Sequence, residues 1–209
     1  MFDVPPGHDA YTIGDASCVM LEWSGVRATT GFALEPHNRV IATLLFTDLV
    51  GSTERARHLG DVAWHDLLSR HYEAVRTQLE RFRGREFETT GDGTLATFES
   101  TAAALRCAAA IVGDAATLGL RVRAGVHVGE VQVLGSTVRG LAVHEAARVM
   151  SAAAANEVLA SETTVNLASA SNLRFVDRGV HQLRGLADER RLYAYVPTLP
   201  RSTEDRPPG

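Results

Sequence analysis

Cysteine is nearly absent from this chain: among 209 residues only Cys18 and Cys107 carry a thiol, far apart and in no CxxC pattern. A disulfide framework finds no support, and two reduced thiols in a cytoplasmic protein are the expectation. A basic excess is lacking too. The formal net charge is −4 and the isoelectric point about 6.1, so no basic stripe offers itself to nucleic acid or to an anionic membrane surface. An anionic ligand would have to be held by a few placed arginines or by metal ions. No stretch approaches the roughly 18 apolar residues of a membrane span. The opening Met1-Phe2-Asp3-Val4-Pro5-Pro6 has neither the basic nor the apolar region of a signal peptide. A soluble protein is expected, with no membrane and no nucleic-acid partner.

What is present has the balance of one globular domain, 45% apolar and 22% charged, in a chain long enough for a sizeable core with short extensions. Residues 1–38 hold Pro5, Pro6, Pro36 and several glycines without a sustained period, and read as a leader or linker with one short strand at 18–23. Residues 197–209 place Pro197, Pro200, Pro207 and Pro208 among charges and read as a disordered tail. The folded unit is expected over 39–196.

Within it, 40–46 is a continuous apolar run, the pattern of a strand buried on both faces, and it ends at Thr47-Asp48. Gly51-Ser52-Thr53-Glu54 then opens a helix with Ser or Thr as its cap. Trp64, Leu67, Leu68, His71, Val75, Leu79 and Phe82 recur at helical spacing, and Gly84 terminates them. Strands at 86–89 and 94–98 flank Gly91-Asp92-Gly93, a hairpin signal. An alanine-rich helix at 101–118, with Cys107 on its buried face, precedes strands at 121–128 and 130–134. A helix at 141–154 and strands at 158–160, 174–182 and 191–196 complete the pattern. The order predicts an α+β sandwich, a ferredoxin-like βααββαβ core with helices on a mixed, mainly antiparallel sheet.

Two carboxylates stand out. Asp48 ends the buried strand and Asp92 lies at the hairpin tip, 92 − 48 = 44 residues later. If that strand lies beside the hairpin, both acids point to one rim of the sheet. There they suit two divalent ions about 3.5–4 Å apart, which stabilise attacking and leaving oxygens at phosphorus. The loop Leu49-Val50-Gly51-Ser52-Thr53 would offer backbone N–H groups to phosphates at a helix start. Taken singly, Asp48 could be a helix cap and Asp92 an Asx turn. His144 and Arg148, four residues apart, share a helix face and can address one ligand. His127 reads as structural, and His58, His65 and His71 fall in no ligand geometry. No Ser-His-Asp or Cys-His arrangement is present.

The strings Phe46-Thr47-Asp48-Leu49-Val50-Gly51-Ser52-Thr53 and Thr89-Thr90-Gly91-Asp92-Gly93 closely resemble the two metal motifs of the class III adenylyl and guanylyl cyclases. The resemblance continues through Arg123-Ala124-Gly125-Val126-His127-Val128-Gly129, Gly140-Leu141-Ala142-Val143-His144-Glu145-Ala146-Ala147-Arg148 and His181-Gln182-Leu183-Arg184-Gly185. It covers nearly all of 39–196, and the surrounding sequence looks most like actinobacterial adenylyl cyclases. It implies the class III cyclase sandwich and a nucleotidyl cyclase that converts a nucleoside triphosphate to a 3′,5′-cyclic nucleotide and pyrophosphate. It further implies two Mg²⁺ or Mn²⁺ held by Asp48 and Asp92, with the Leu49 carbonyl as a further ligand. Arg123 falls where the family contacts the triphosphate, and Arg184 where many members place a phosphate-binding lysine. Arg148 falls on the arginine that stabilises the pentacoordinate transition state, and His144 on a position, usually asparagine, that orients the ribose. A head-to-tail homodimer is also implied. One chain would supply Asp48, Asp92 and Arg123, the other His144, Arg148, Arg184 and the base-reading pair.

That pair departs from the adenine type, which is lysine and aspartate; here the positions hold Glu88 and Thr137. A carboxylate only accepts hydrogen bonds and suits a base edge bearing N–H groups. Guanine, cytosine and uracil offer such edges, while the surrounding sequence favours ATP. GTP or a pyrimidine nucleotide is therefore the alternative substrate. A non-catalytic nucleotide-binding regulatory module is the competing class, and the retention of both aspartates and Arg148 argues against it.

Overall fold

The computed structural model describes residues 39–87, 93–186 and 188–197. The leader with its short strand at 18–23, Glu88, Asp92 and the tail beyond Pro197 lie outside the described residues. The apolar run at 40–46 lies within β1 (Arg39–Leu49), an interior strand. β3 (Thr94–Phe98) pairs antiparallel on one side, with Leu95 opposite Phe46. β4 (Val122–Leu134) pairs antiparallel on the other, with Arg123 opposite Asp48. The remaining strands are β2 (Arg85–Phe87), β5 (Thr137–Arg139), β6 (Val158–Ser161), β7 (Arg174–His181) and β8 (Arg190–Val196). Their order is β2-β3-β1-β4-β6-β8-β7, with β5 on the end of β4, and β4–β6 is the one parallel pairing among the described strands. This is the expected mixed, mainly antiparallel sheet.

Both sheet faces are covered, because successive side chains of an interior strand point to opposite sides. Leu45 packs with Val75 and Leu79 of α2 (Asp61–Arg81) and with Leu105, Ala108 and Ile111 of α3 (Thr101–Thr117). Its neighbour Leu44 packs instead with Val131 and with Ala142 and Ala146 of α4 (Leu141–Ala152). Cys107 lies on the buried face of α3, where burial pushes its thiol up to about 12 and keeps it protonated.

Several local expectations are corrected. α1 (Ser52–Leu59) has no side-chain cap from Ser52 or Thr53; Gly51, left-handed at φ 75°, fills the cap position. α2 ends in a Schellman motif: Gly84 N–H donates to the Leu79 carbonyl at 2.8 Å and Arg83 N–H to Glu80 at 3.2 Å. The left-handed residue is Arg83, at φ 58°; Gly84 is required for space, since a Cβ there would come within 2.5 Å of the Phe98 ring. β5 and α5 (Glu162–Leu167) were not foreseen, being three and six residues long and lacking any measurable period.

The strands expected at 121–128 and 130–134 form one strand, β4, running straight through Gly129. This glycine seats a helix instead of ending a strand. A Cβ on Gly129 would stand 2.5 Å from the Ala142 Cβ, and one on Gly125 would run into the backbone of Met150. α4 therefore lies flush on β4, its start over Gly129 and its end over Gly125. Gly125→Ala should force the two apart and destabilise the fold by roughly 1–3 kcal/mol, the usual range for overpacking. A denaturant midpoint equal to wild type would contradict this seating.

Candidate active site

Asp48 is the penultimate residue of β1 and stands directly opposite Arg123 on β4. Arg123 Nε and Nη2 both donate to Asp48 Oδ2, at 2.9 and 2.5 Å. The two side chains are 23% and 33% exposed, so the pair is reachable from solvent. The same alternation that turns Gly125 and Gly129 toward α4 puts Arg123 on that face of β4.

Beyond Leu49 the chain turns sharply. Val50 N–H donates to the Arg121 carbonyl at 2.8 Å, and the left-handed Gly51 launches α1. The first intrahelical bond runs from Arg55 N–H to Gly51 at 3.1 Å. The N–H groups of Ser52, Thr53 and Glu54 thus have no partner within the helix, the ordinary condition of a first turn and one that favours anions. A pocket of about 310 Å³ opens at this loop, lined by Leu49, Gly51, Ser52, Arg55, Trp64 and Arg121 among others. Gly93, the chain neighbour of Asp92, lies against β1, where a Cβ would stand 2.5 Å from the Thr47 carbonyl oxygen.

The other candidates occupy different surfaces. His144 and Arg148 lie on the exposed face of α4, while Ala142, Glu145, Ala146 and Val149 form its buried face. Thr137 is exposed on β5. Arg184 is exposed in the connection from β7 to β8, just before Gly185 at φ 82°. Among the described residues, no hydrogen bond or ion pair joins His144, Arg148 or Arg184 to Asp48 or Arg123. The chain thus brings Asp48 and Arg123 together beside Leu49 and the loop at 51–53, and leaves His144, Arg148 and Arg184 unbonded to that pair.

A buried polar chain behind α4 was only partly legible. His127 Nδ1 is 2.8 Å from Ser161 Oγ, and Ser161 Oγ is 2.9 Å from Thr164 Oγ1. His127 Nε2 lies 3.8 Å from Glu145 Oε2, and Arg190 Nε donates to Glu145 Oε1 at 2.6 Å. His127 is structural, as expected, but Glu145 and Arg190 were missed. The available signal was a carboxylate on the apolar side of a helix, among Ala142, Ala146 and Val149. Burial holds the imidazole below its ordinary pKa; the Glu145 carboxylate opposes this and Arg190 adds to it. A depressed value in the folded state means that the unfolded chain binds the proton more readily. The stabilisation is therefore complete above about pH 6.5, the unfolded value, and is lost as pH falls toward the folded one. The thermal midpoint should drop between about pH 7 and 5, and drop less in His127→Asn. Equal slopes for both proteins would exclude His127 as the source.

Residues 33–196, well over half of the chain, match the family described as the adenylate and guanylate cyclase catalytic domain. The chain belongs to that family. A Rhizobium meliloti (strain 1021) protein provisionally named adenylate cyclase 3 is 29% identical to this cyclase domain over 175 residues, covering 79% of this chain and 30% of that protein. A second relative from the same organism is covered over 17% of its length, so the chain spans less than a third of either curated relative. The adenylyl cyclase CyaB of P. aeruginosa shares the fold at TM-score 0.72 and 23% identity, over 77% of this chain and 96% of that one. The guanylate cyclase domain of RhGC from Catenaria anguillulae, solved with GTP, does so at TM-score 0.68 and 18% identity, over 75% and 96%. The α+β sandwich is therefore that of the class III cyclases. No helix among the described residues is long and apolar enough to cross a membrane.

Proposed function

We propose that this cyclase domain converts a nucleoside triphosphate, ATP first, to a 3′,5′-cyclic nucleotide and pyrophosphate at a site shared between two copies of the chain. The observation that supports this most is the facing of Asp48 and Arg123, a carboxylate for cations beside a guanidinium for phosphate, next to the first-turn N–H groups of α1 that have no partner within the helix. The donor set fits the family's metals. Asp48, the Leu49 carbonyl and Asp92 offer hard oxygens, which suit Mg²⁺ or Mn²⁺. Among the described residues no cluster of three or more His, Cys, Asp or Glu exists. When bound, such ions lower the pKa of the ribose 3′-hydroxyl and offset phosphate charge.

The 3′-oxygen attacks the α-phosphorus, and the bond to the departing pyrophosphate breaks. Arg123 and Arg184 hold the phosphates, Arg148 stabilises the charge that builds on the pentacoordinate phosphorus, and His144 orients the ribose. The sequence contains no lysine. Any guanidinium offered to the triphosphate can bond in the two-pronged manner an ammonium cannot. Exposure supports the dimer: His144, Arg148 and Arg184 face outward and could serve a neighbour's Asp48, Asp92 and Arg123. The chain that supplies His144, Arg148 and Arg184 would also supply Glu88 and Thr137 to read the base.

ATP is the first reading because of the likeness to the Rhizobium protein provisionally named adenylate cyclase 3. GTP is the second reading, because Glu88 can accept from guanine and has nothing to donate to adenine. Incubation with ATP, GTP, CTP or UTP plus Mn²⁺, with chromatography of the products, decides between them. Cyclic AMP as the main product is expected. No cyclic product from any of the four would overturn the proposal in favour of a regulatory nucleotide binder.

A further inference from the structure

Glu145 is anomalous on α4. Its side chain is 12% exposed, on the face that otherwise carries Ala142, Ala146 and Val149. A buried ion pair often adds nothing to stability over apolar residues of the same size, so stability alone does not account for it. Its geometry gives another reason. Glu145 lies between His144 and Arg148, and Arg190 Nε, at the start of β8, donates to its Oε1 at 2.6 Å. At the other end of the β7–β8 connection, Leu183 is buried against Val149 and Ala153 of the α4 end. Arg184 directly follows Leu183. The connection is therefore fastened to α4 at both ends, by an apolar contact at Leu183 and a charged one at Arg190.

We propose that Glu145 is a positioning residue: through Arg190 it fixes the rotation of α4 and the seat of the β7–β8 connection, so that His144, Arg148 and Arg184 act as one preset unit. This rests on the cyclase reading of those three residues. Neighbours at i and i+3 on a helix are about 5–6 Å apart, so a turn of α4 that loosens Glu145 moves Arg148 sideways by a comparable fraction. Misplacement of that order is costly for groups that act only in the transition state.

The test compares Glu145→Gln, Arg190→Gln and the double variant, each assayed for cyclic nucleotide formation well below its own melting temperature. Arg190 is partly exposed, so its variant should fold even if the Glu145 variant does not. Each single variant should lower kcat about tenfold and raise KM about threefold, because the transition-state Arg148 is displaced together with the phosphate-holding Arg184 and the ribose-orienting His144. The double variant should be no worse than either single one. Hydrogen exchange in the segment 182–189 should rise in all three. Wild-type kcat in folded Arg190→Gln, or strictly multiplicative losses, would overturn the brace. Absence of cyclase activity in the wild type would overturn the cyclase reading instead; unchanged exchange at 182–189 would then still overturn the brace.

Discussion

Arg123→Gln should tighten Mn²⁺ binding in the absence of nucleotide while it weakens nucleotide binding and turnover. Both effects trace to one contact. Asp48 Oδ2 accepts two N–H bonds from Arg123, so a cation arriving alone must compete with a guanidinium for that oxygen. A hydrogen bond to a charged group is worth about 1.5–3 kcal/mol when shielded. With side chains 23% and 33% exposed that figure must be discounted. A gain of about threefold to tenfold in Mn²⁺ affinity is the expected size, read by the loss of the free-ion electron paramagnetic resonance signal. The nucleotide side should be larger. Loss of the guanidinium should reduce kcat/KM by about a hundredfold, within the range for removing one donor from a developing charge. Asp48→Asn sets the sign of the comparison: it should abolish the metal response and lower kcat/KM by about a thousandfold or more. Weaker Mn²⁺ binding in Arg123→Gln than in wild type would show that Arg123 helps to hold the cation site in shape and does not compete for it.

Mixing two inactive proteins should restore activity. Asp92→Ala removes a proposed metal ligand and Arg148→Ala the proposed transition-state arginine, each expected to reduce kcat by about a thousandfold. If the site draws on two chains, a mixed dimer places both lesions in one site and leaves the other intact. An equimolar mixture then contains about half mixed dimers, each with one working site of two, and should recover about a quarter of wild-type activity by statistical pairing. No recovery after mixing, with dimers demonstrated by light scattering, would confine the whole site to one chain. The exposure of His144, Arg148 and Arg184, and their lack of any bond to the Asp48–Arg123 pair, favour recovery.

The fold was legible where burial imposed a pattern. The uninterrupted run at 40–46 announced an interior strand, and Leu44 and Leu45 do face opposite layers, but its first residues Val40 and Ile41 are exposed, so burial on both faces holds only from Thr43 onward. The long helix with His71, Val75 and Leu79 was equally plain. Glycine was misread where its role was long-range. Gly129 looked like a strand break because nothing local reveals that Ala142 will occupy the space of its missing side chain. At α1 the hydroxyls of Ser52 and Thr53 suggested a cap, but a left-handed Gly51 turns the chain without one. Of the candidate site, the register of Asp48 with Arg123 came from the sheet, whereas their pairing across 75 residues had no local sign. The partners that hold Glu145 in the apolar face, Arg190 and His127, had no local sign either, because they lie far away in sequence.

The two glycines of β4 have a mechanical meaning. On the row of β4 that faces α4, Arg123, Gly125, His127, Gly129 and Val131 follow one another, and the helix rests where the side chains are missing. A slide of one repeat along the strand, about 6.7 Å, would set the helix against His127 or Val131, where it cannot come as close. α4 is keyed to the sheet at a single notch. A slide of α4 along the sheet is therefore closed to this fold as a switching motion.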